Sequence, residues 1–185
     1  MEYFIDLHNR GDQLPEGVVK FLIKDTGLLF IIQKWIAEEK KYGAIKEPYL
    51  KKYGLKGTDL ANQIFDEWQN VKTDITVKDS VMSLSKGRGT LTKNGDFGAS
   101  VLMFQDELIE AADQLAPRTD PIVVLPLTRN QIVMQVQDRP IEEINAMIKK
   151  INQKQDPELI LEDHCYRLDR RTGHIYVPKW EREVW

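Results

Sequence analysis

The sequence predicts a single α+β domain spanning 1–185, in which antiparallel strand pairs alternate with about three main helices. Runs of strand-like residues occur in pairs around turn residues, and other segments repeat apolar residues every three to four positions. Of the 185 residues, 42% are hydrophobic and 30% are charged, as in ordinary globular chains. Paired strands with helices between them indicate an α+β fold of about six strands.

The first 36 residues leave one choice open. Residues 1–16 are polar and turn-rich, so we expect a short strand at most, in a flexible or edge segment. Residues 18–36 suit a hairpin around an Asp-Thr-Gly turn, with Gly27 in the left-handed conformation. A helix is also consistent, because apolar residues fall at helical spacing. These residues are Leu28, Ile31, Ile32 and Trp35.

The tetrapeptide Lys-Lys-Tyr-Gly occurs at 40–43 and again at 51–54. Glycine just past a helix adopts the left-handed conformation, and lysines in a last helical turn face the negative end of the helix dipole. Both copies are therefore predicted to be the ends of elements. Thr58 and Asp59 then suit the start of a helix over 58–70.

The rest of the chain continues the same two patterns. Pro117 ends an acidic helix, and Pro140 opens a later one. The predicted strands are 73–77, 81–84, 99–104, 122–125 and 131–136, the predicted helices are 106–116 and 141–151, and a last hairpin pairs 166–168 with 175–177.

Charge and cysteine content exclude several classes of protein. The net charge is −3, from 26 basic and 29 acidic residues, which excludes a strongly basic nucleic-acid-binding chain. A single cysteine, Cys165, allows no intramolecular disulfide and fits a reducing compartment. The longest apolar run, 28–32, is far shorter than the roughly 20 residues of a membrane span, and we recognise no signal peptide. We expect a soluble, cytoplasmic protein without membrane contact.

The order of elements over about 49–177 carries a resemblance to known families. The residues concerned are 98–102, 106–115, 120–126, 132–134, 158–161 and 166–169, with 49–55 and 59–61 upstream. They are similar to the YtpQ-like uncharacterised bacterial proteins and their clostridial relatives, over about two-thirds of the chain. The resemblance implies a mixed α+β fold and transfers no catalytic residue.

Two short motifs contain residues that occur in reaction centres. Ser100 lies in a Gly-Ala-Ser-Val-Leu stretch, which lacks the second glycine of a nucleophile elbow, so a strand serine is favoured. The stretch 85–90 holds glycines and cations but not the P-loop spacing, so a surface loop is favoured. We therefore predict no catalytic residue, no bound metal and no cofactor.

The segment 163–174 supports an alternative function, a small metal- or Cys/His-dependent enzyme. Its candidate residues are Asp163, His164, Cys165, Asp169 and His174. Adjacent strand residues point to opposite faces, so His164 and Cys165 are not expected to bind one ion together. A surface hairpin with scattered polar residues is the favoured interpretation.

A second alternative is nucleic-acid binding through residues 34–56. This window holds seven lysines against three glutamates, interleaved with aromatic residues. Lysines neutralise phosphates, and aromatic rings stack on bases. The predicted binding residues are Lys40, Lys41, Lys51, Lys52, Tyr42 and Tyr53.

The favoured function is binding of a protein partner without catalysis. No motif has the spacing of a known catalytic or metal site, and we expect the ionisable side chains to be dispersed around a packed body. Tryptophans near the C-terminus suit an interface, because tryptophan is enriched at interface hot spots. The predicted contact residues are Trp180, Trp185, Tyr176, Arg170 and Arg171. By class analogy such a bacterial protein would be an immunity, adaptor or antagonist factor.

Overall fold

A computed structural model describes residues 2–78, 87–93 and 95–178. Strands and helices are both abundant and every strand pairing described is antiparallel, so the predicted α+β class is confirmed. The chain divides into two compact units, Met1–Ile23 with Gly27–Lys72, and Lys24–Thr26 with Thr73–Trp185. A single domain stays a prediction, because compactness alone does not show whether a unit folds by itself.

The first unit is a four-stranded sheet with two helices. Its strands are β1 Tyr3–Asn9, β2 Lys20–Leu22, β3 Leu28–Ile36 and β4 Lys41–Ala44, and its helices are α1 Glu47–Tyr53 and α2 Gly57–Trp68. Strand β3 is central, because β1 pairs with most of one edge while β2 and β4 share the other.

The N-terminal residues form more structure than predicted. Strand β1 is seven residues long and buries Ile5 and Leu7, because β3 supplies a pairing partner along its whole length. Residues 18–36 adopt the hairpin and not the helix. The residue with positive φ in the turn is Asp25, at 58°, and not Gly27 as predicted. Aspartate tolerates this conformation better than most residues with a side chain.

Only the second copy of the repeated tetrapeptide ends a helix. Gly54 caps α1 with φ 63°, and Lys51 and Lys52 lie in the last turn, as predicted. The first copy lies in the turn before β4 and in β4 itself, with Lys40 at φ 50°. The predicted element end at 40–43 is wrong, because this segment begins β4 and completes an antiparallel pair with β3.

The second unit is a six-stranded sheet in the order β10-β9-β7-β8-β6-β5. Its strands are β5 Asp74–Lys78, β6 Arg88–Thr92, β7 Ile122–Thr128, β8 Gln131–Val136, β9 Tyr166–Asp169 and β10 His174–Tyr176, and its helices are α3 Gln105–Leu115 and α4 Ile141–Asn152. The three predicted main helices are confirmed as α2, α3 and α4. Among the residues described, no helix has the length and apolar character needed to cross a membrane.

The strand predicted at 99–104 is wrong, because Gly95–Met103 forms a 3₁₀ segment. Ala99 and Leu102 are both buried, so the segment is apolar on more than one face. A short apolar run of this kind does not distinguish a strand from a helical segment. The strand predicted at 81–84 lies outside the described residues.

Helix α4 packs its apolar stripe on the second sheet. Ile141, Ile144 and Ile148 share a buried cluster with residues of β7 and β8 and with Cys165. Each such side chain contributes about 1.5–3 kcal/mol when it is fully buried. The cluster holds α4 against the segment that leads into β9, and this segment carries polar side chains discussed below.

Candidate functional site

A cavity of about 610 Å³ opens in the first unit, lined by residues from β3, β4 and α1. This volume lies within the roughly 300–1,000 Å³ typical of ligand sites. Its polar lining residues include Glu2, Lys34, Glu38, Lys46 and Tyr49, and its apolar ones include Ile36, Ala44, Ile45 and Pro48.

The local sequence explains why this space is open. Gly43 lies opposite Lys34 in the β3–β4 pair, so no side chain from β4 fills the space beside that lysine. A side chain at position 43 would collide with Ile36, whose Cδ1 lies 2.7 Å from the place a Cβ would take. Pro48 in the first turn of α1 and Gly54 at its end keep this helix to seven residues.

A lysine and two tyrosines form a hydrogen-bonded group beside the cavity. Lys34 Nζ lies 2.7 Å from Glu2 Oε1 and donates to the Tyr49 hydroxyl at 3.3 Å. The Tyr3 and Tyr49 hydroxyl oxygens are 2.9 Å apart. Glu2 raises the pKa of Lys34, while burial and then the Tyr49 hydrogen bond raise the pKa of Tyr3 to about 12. At neutral pH the lysine is therefore charged and the Tyr3 phenol is neutral.

Helix α1 presents exposed cations around an exposed tyrosine. Tyr53 is 55% exposed, and its ring centroid lies 4.7 Å from that of Tyr49 and 5.3 Å from Lys52 Nζ. The lysine ion pairs found in the described part of the chain involve Lys34, Lys41, Lys93 and Lys149. The four exposed lysines on and beside α1 belong to none of these pairs. We define the α1 surface as Lys46, Tyr49, Lys51, Lys52, Tyr53 and Lys56.

The predicted nucleic-acid residues divide between the two faces of the first sheet. The α1 surface holds Lys51, Lys52 and Tyr53. Tyr42 lies opposite Trp35 in the β3–β4 pair, with ring centroids 4.9 Å apart. Successive strand residues point to opposite faces, so these rings lie on the other side of the sheet from Lys34. Lys40 and Lys41 lie at the hairpin turn, where Lys41 is ion-paired.

In the second unit the chain bends at Asp163 and His164, just before β9. His164 Nδ1 lies 3.2 Å from Glu162 Oε2 and 3.2 Å from Asp163 Oδ1. One ligand atom from each of Glu162, Asp163 and His164 lies within 4.8 Å of the other two. A bend brings these neighbouring side chains together, and the expectation that ionisable side chains form no working pocket stays a prediction. We name Glu162, Asp163 and His164 the 162–164 cluster.

The two carboxyl groups of the 162–164 cluster differ in burial, and their pKa values shift in opposite directions. Glu162 is 4% exposed, and its burial raises the pKa of its carboxyl group. Asp163 has a side chain 61% exposed, and the hydrogen bond with His164 lowers its pKa. The cluster therefore combines one shielded and one solvated carboxyl group on either side of a single ring nitrogen.

The other candidates from 163–174 do not join this cluster. Cys165 is 1% exposed and lies in the apolar core. Asp169 accepts a hydrogen bond from Thr172 at 3.0 Å and stabilises the β9–β10 turn. His174 lies on β10 with its ring Nε2 3.0 Å from a carboxylate oxygen of Asp25.

The predicted partner-binding residues have varied surroundings. Trp180 and Trp185 lie outside the described residues, so their role stays a prediction. The Arg170 side chain is 9% exposed, and its guanidinium donates to the main-chain oxygens of Ala112 and Ala116 at 3.1 and 2.8 Å. It therefore satisfies carbonyl groups at the end of α3. Tyr176 is half-buried and Arg171 is exposed.

Sequence reasoning missed three further polar groups. Asp6 and His8 are buried, and His8 Nε2 lies 3.1 Å from Asp6 Oδ2. Lys93 is fully buried, with Nζ 2.5 Å from Glu107 Oε1. Glu162 was not considered either. Only the Asp-x-His spacing of β1 offered a local signal. The Lys93–Glu107 ion pair joins residues 14 positions apart, so no local pattern indicates it.

The two motifs weighed as reaction centres have structural surroundings. Ser100 is 1% exposed in the 3₁₀ segment, and its hydroxyl donates to the Lys93 main-chain oxygen at 3.5 Å. Of the stretch 85–90, residues 88–90 belong to β6, and 85–86 lie outside the described residues.

Comparison of the chain with protein-family models, curated proteins and solved structures finds no match. The resemblance to the YtpQ-like proteins stays a prediction. The function is therefore inferred from the geometry of the two sites.

Proposed function

We propose that the first unit binds single-stranded nucleic acid on the α1 surface. The observation that carries this proposal is Tyr53, a 55% exposed ring with Lys52 Nζ 5.3 Å from its centroid, next to Tyr49 and its cavity. An exposed aromatic ring flanked by unpaired lysines is typical of surfaces that stack a base and neutralise its phosphate.

The charges of the α1 surface favour a polyanion. Residues 46–56 hold four lysines and one glutamate, and the lysines are exposed. Each phosphate that a lysine contacts releases condensed counterions, which favours binding at low salt. A chain with a net charge of −3 lacks the strong long-range attraction of basic proteins, so we expect modest affinity and a marked dependence on salt.

The cavity has room for a second base of the ligand, beside the base that stacks on the Tyr53 ring. Its volume of about 610 Å³ exceeds that of one nucleobase, and its apolar walls suit an aromatic group. Tyr49 lines the cavity and stands 4.7 Å, centroid to centroid, from Tyr53. A base in the cavity and its neighbour on Tyr53 would therefore lie next to each other along the strand.

Single strands fit this surface better than a duplex. Base stacking on a protein ring needs a base that is free of its own helix. Helix α1 has seven residues and is about 10 Å long, so it offers little length for reading a groove. A cytoplasmic location, where such ligands occur and a lone cysteine stays reduced, is part of this proposal.

Fluorescence anisotropy with a labelled single-stranded oligonucleotide tests the proposal. Replacing Lys51 and Lys52 together by alanine should weaken binding and reduce the slope of log affinity against log salt by about 1.4, since each lost phosphate contact on a single strand contributes about 0.7. The matched control replaces Lys149 and Lys150, which occupy the last turn of α4, and should leave the slope unchanged.

The aromatic contribution is tested separately with Tyr53→Ala and Tyr53→Phe. Loss of the ring should weaken binding by about 1–3 kcal/mol, whereas phenylalanine should retain most of the affinity. Equal binding by all lysine and tyrosine variants, or preference for a poly-glutamate peptide over the oligonucleotide, would contradict nucleic-acid binding. The second result would favour an acidic protein partner.

A further inference from the structure

We infer that the 162–164 cluster of the second unit is a binding site for a divalent transition-metal ion such as Zn²⁺. The inference is independent of nucleic-acid binding, because it concerns residues that belong to the other compact unit. It assigns the ligands Glu162 Oε2, Asp163 Oδ1 and His164 Nδ1.

The two separations at His164 are close to those around a tetrahedral ion. Zinc lies about 2.0–2.2 Å from nitrogen and oxygen ligands, which places neighbouring ligands about 3.3–3.6 Å apart. The two N···O separations at His164 are each 3.2 Å, and one ligand atom from each of the three residues lies within 4.8 Å of the other two. The same separations suit a ring N–H shared by two carboxylates. A proton and a metal ion therefore compete for one position.

The polar groups around the cluster hold the ligand Glu162 in place. The Tyr166 hydroxyl donates to Glu162 Oε1 at 2.7 Å, which directs the other carboxylate oxygen to His164. Hydrogen bonds of this kind orient metal-binding carboxylates and increase metal affinity. The His164 ring also packs against the Tyr166 ring, with centroids 5.0 Å apart.

Two asparagines of α4 fix the main chain of the ligand-bearing segment. Asn152 Nδ2 donates to the Glu162 main-chain oxygen at 2.8 Å, and Asn145 Oδ1 accepts from the Cys165 main-chain nitrogen at 2.9 Å. They lie seven residues apart, about two helical turns, and so share one face of α4. The site is therefore held at both ends before any ion arrives.

A buried acceptor near the cluster remains unsatisfied. Asn152 is 8% exposed, and its Oδ1 has no hydrogen-bond partner in the part of the chain that the structure describes. A buried polar oxygen without a partner costs about 1–3 kcal/mol, so an unaccounted partner is expected there. A bound water molecule beside the ligand-bearing segment would supply the donor.

The ligand set favours zinc over the hard alkaline-earth ions. Imidazole nitrogen suits Zn²⁺ and related ions, whereas Ca²⁺ takes about six to eight oxygen ligands. The His164 side chain is 27% exposed and that of Asp163 is 61% exposed, so an ion reaches the cluster from solvent. Lys149 Nζ, 3.6 Å from Asp163 Oδ2, is a cation that the metal would displace.

Zinc titration of the chelator-treated full chain, in competition with a chromophoric chelator, tests the site. We expect one Zn²⁺ per chain, a loss of affinity of at least about ten-fold in Glu162→Gln and His164→Asn, and tighter binding in Lys149→Ala. Mg²⁺ and Ca²⁺ at equal concentration should not compete. The matched control is His174→Ala, which removes a histidine of the same unit and should leave the affinity unchanged.

Three results would contradict the proposed zinc site. Absence of zinc binding, or zinc binding that persists unchanged in both Glu162→Gln and His164→Asn, excludes these ligands. Nuclear magnetic resonance of the imidazole nitrogens distinguishes binding from unfolding, because zinc should shift the His164 signals while the His8 and His174 signals stay in place. A shift confined to His8 or His174 would also reject the inference.

Discussion

The two compact units each place a histidine against two carboxylates, but the rings are engaged differently. In the first unit His8 Nε2 lies 3.1 Å from Asp6 Oδ2 and His8 Nδ1 lies 3.1 Å from Asp12 Oδ2. In the 162–164 cluster both carboxylates meet the same ring nitrogen, Nδ1 of His164. Within the described residues the His164 Nε2 atom has no hydrogen-bond partner.

Because of this difference, we interpret the His8 contacts as structural and His164 Nδ1 as a position where a metal ion can replace a proton. A ring that engages one carboxylate through each nitrogen cross-links chain segments and has no nitrogen left for a ligand. Asp6 is fully buried and also accepts from Gln33 Nε2 at 2.9 Å, so its carboxylate is anchored from two sides. In the 162–164 cluster one nitrogen and two carboxylates share a single proton position. The same residue types thus have different consequences, which the following variants test.

The largest effect is expected for Asp6→Ala. This change leaves His8 and Gln33 without their shared acceptor in a buried setting, and should lower the free energy of unfolding by about 3 kcal/mol. Urea denaturation measures it. The matched variant Asp163→Ala, at a side chain 61% exposed, should change stability by less than about 0.5 kcal/mol. Equal losses of stability in the two variants would contradict the interpretation that only the His8 contacts are structural.

The next effect is expected for His8→Ala. The ring is 10% exposed and contacts a carboxyl group on each side, so its loss should cost about 2 kcal/mol. His164→Ala, in the absence of metal, should cost about 0.5 kcal/mol because solvent reaches that ring. Thermal melts with chelator present compare the two. A larger loss at His164 than at His8 would reverse the interpretation.

A smaller effect is expected for Tyr166→Phe. The change deletes the hydroxyl that donates to Glu162 Oε1 at 2.7 Å and should lower the free energy of unfolding by about 1 kcal/mol. The separate consequence is a zinc affinity about ten-fold lower, because Glu162 loses its orienting partner. Stability that falls with zinc affinity unchanged would mean that Tyr166 supports the fold alone.

The smallest effect is a pH dependence at Glu162. Burial raises the pKa of this carboxyl group above its ordinary 4.5, so the folded chain holds a proton that the unfolded chain has lost. The free energy of unfolding should therefore decrease as pH rises from about 4.5 through the folded pKa. Glu162→Gln should remove this decrease. Urea denaturation between about pH 4 and pH 8 measures the difference, and a constant difference would contradict the assignment.

Helices were predictable because their signal is local. α2, α3 and α4 were predicted within two residues of their bounds, since their buried positions repeat with the helical period. The length of β1 was not predictable, because each of its residues depends on a partner in β3 that is 19 to 31 positions away. The 3₁₀ segment was mistaken for a strand because its apolar residues are buried on more than one face.

The two copies of the Lys-Lys-Tyr-Gly tetrapeptide show that the neighbouring structure determines the backbone conformation of a short segment. The copy at 51–54 ends α1 with Gly54 at φ 63°, whereas the copy at 40–43 enters β4 and Lys40 takes the positive φ of 50°. Four identical residues thus adopt two backbones. The second copy follows a proline-started helix, while the first follows a strand that offers an open edge for pairing.

The candidate sites were predictable only in part. Lys51, Lys52 and Tyr53 were identified because a lysine-rich stretch with aromatic residues is visible in composition. Glu162 was not, since its importance depends on the hydroxyl of Tyr166 and on a bend in the chain. The cavity was not predictable either, because it depends on Gly43 pairing opposite Lys34 across two strands.

By itself the sequence determined the α+β class, the three main helices and the local excess of lysine and tyrosine around α1, because periodicity and composition act over short stretches. The tertiary structure alone decided which face each ring occupies, which lysines stay unpaired and which carboxylates meet His164. Those features require strands and helices from distant positions to be brought together, and burial then changes what each group can bind.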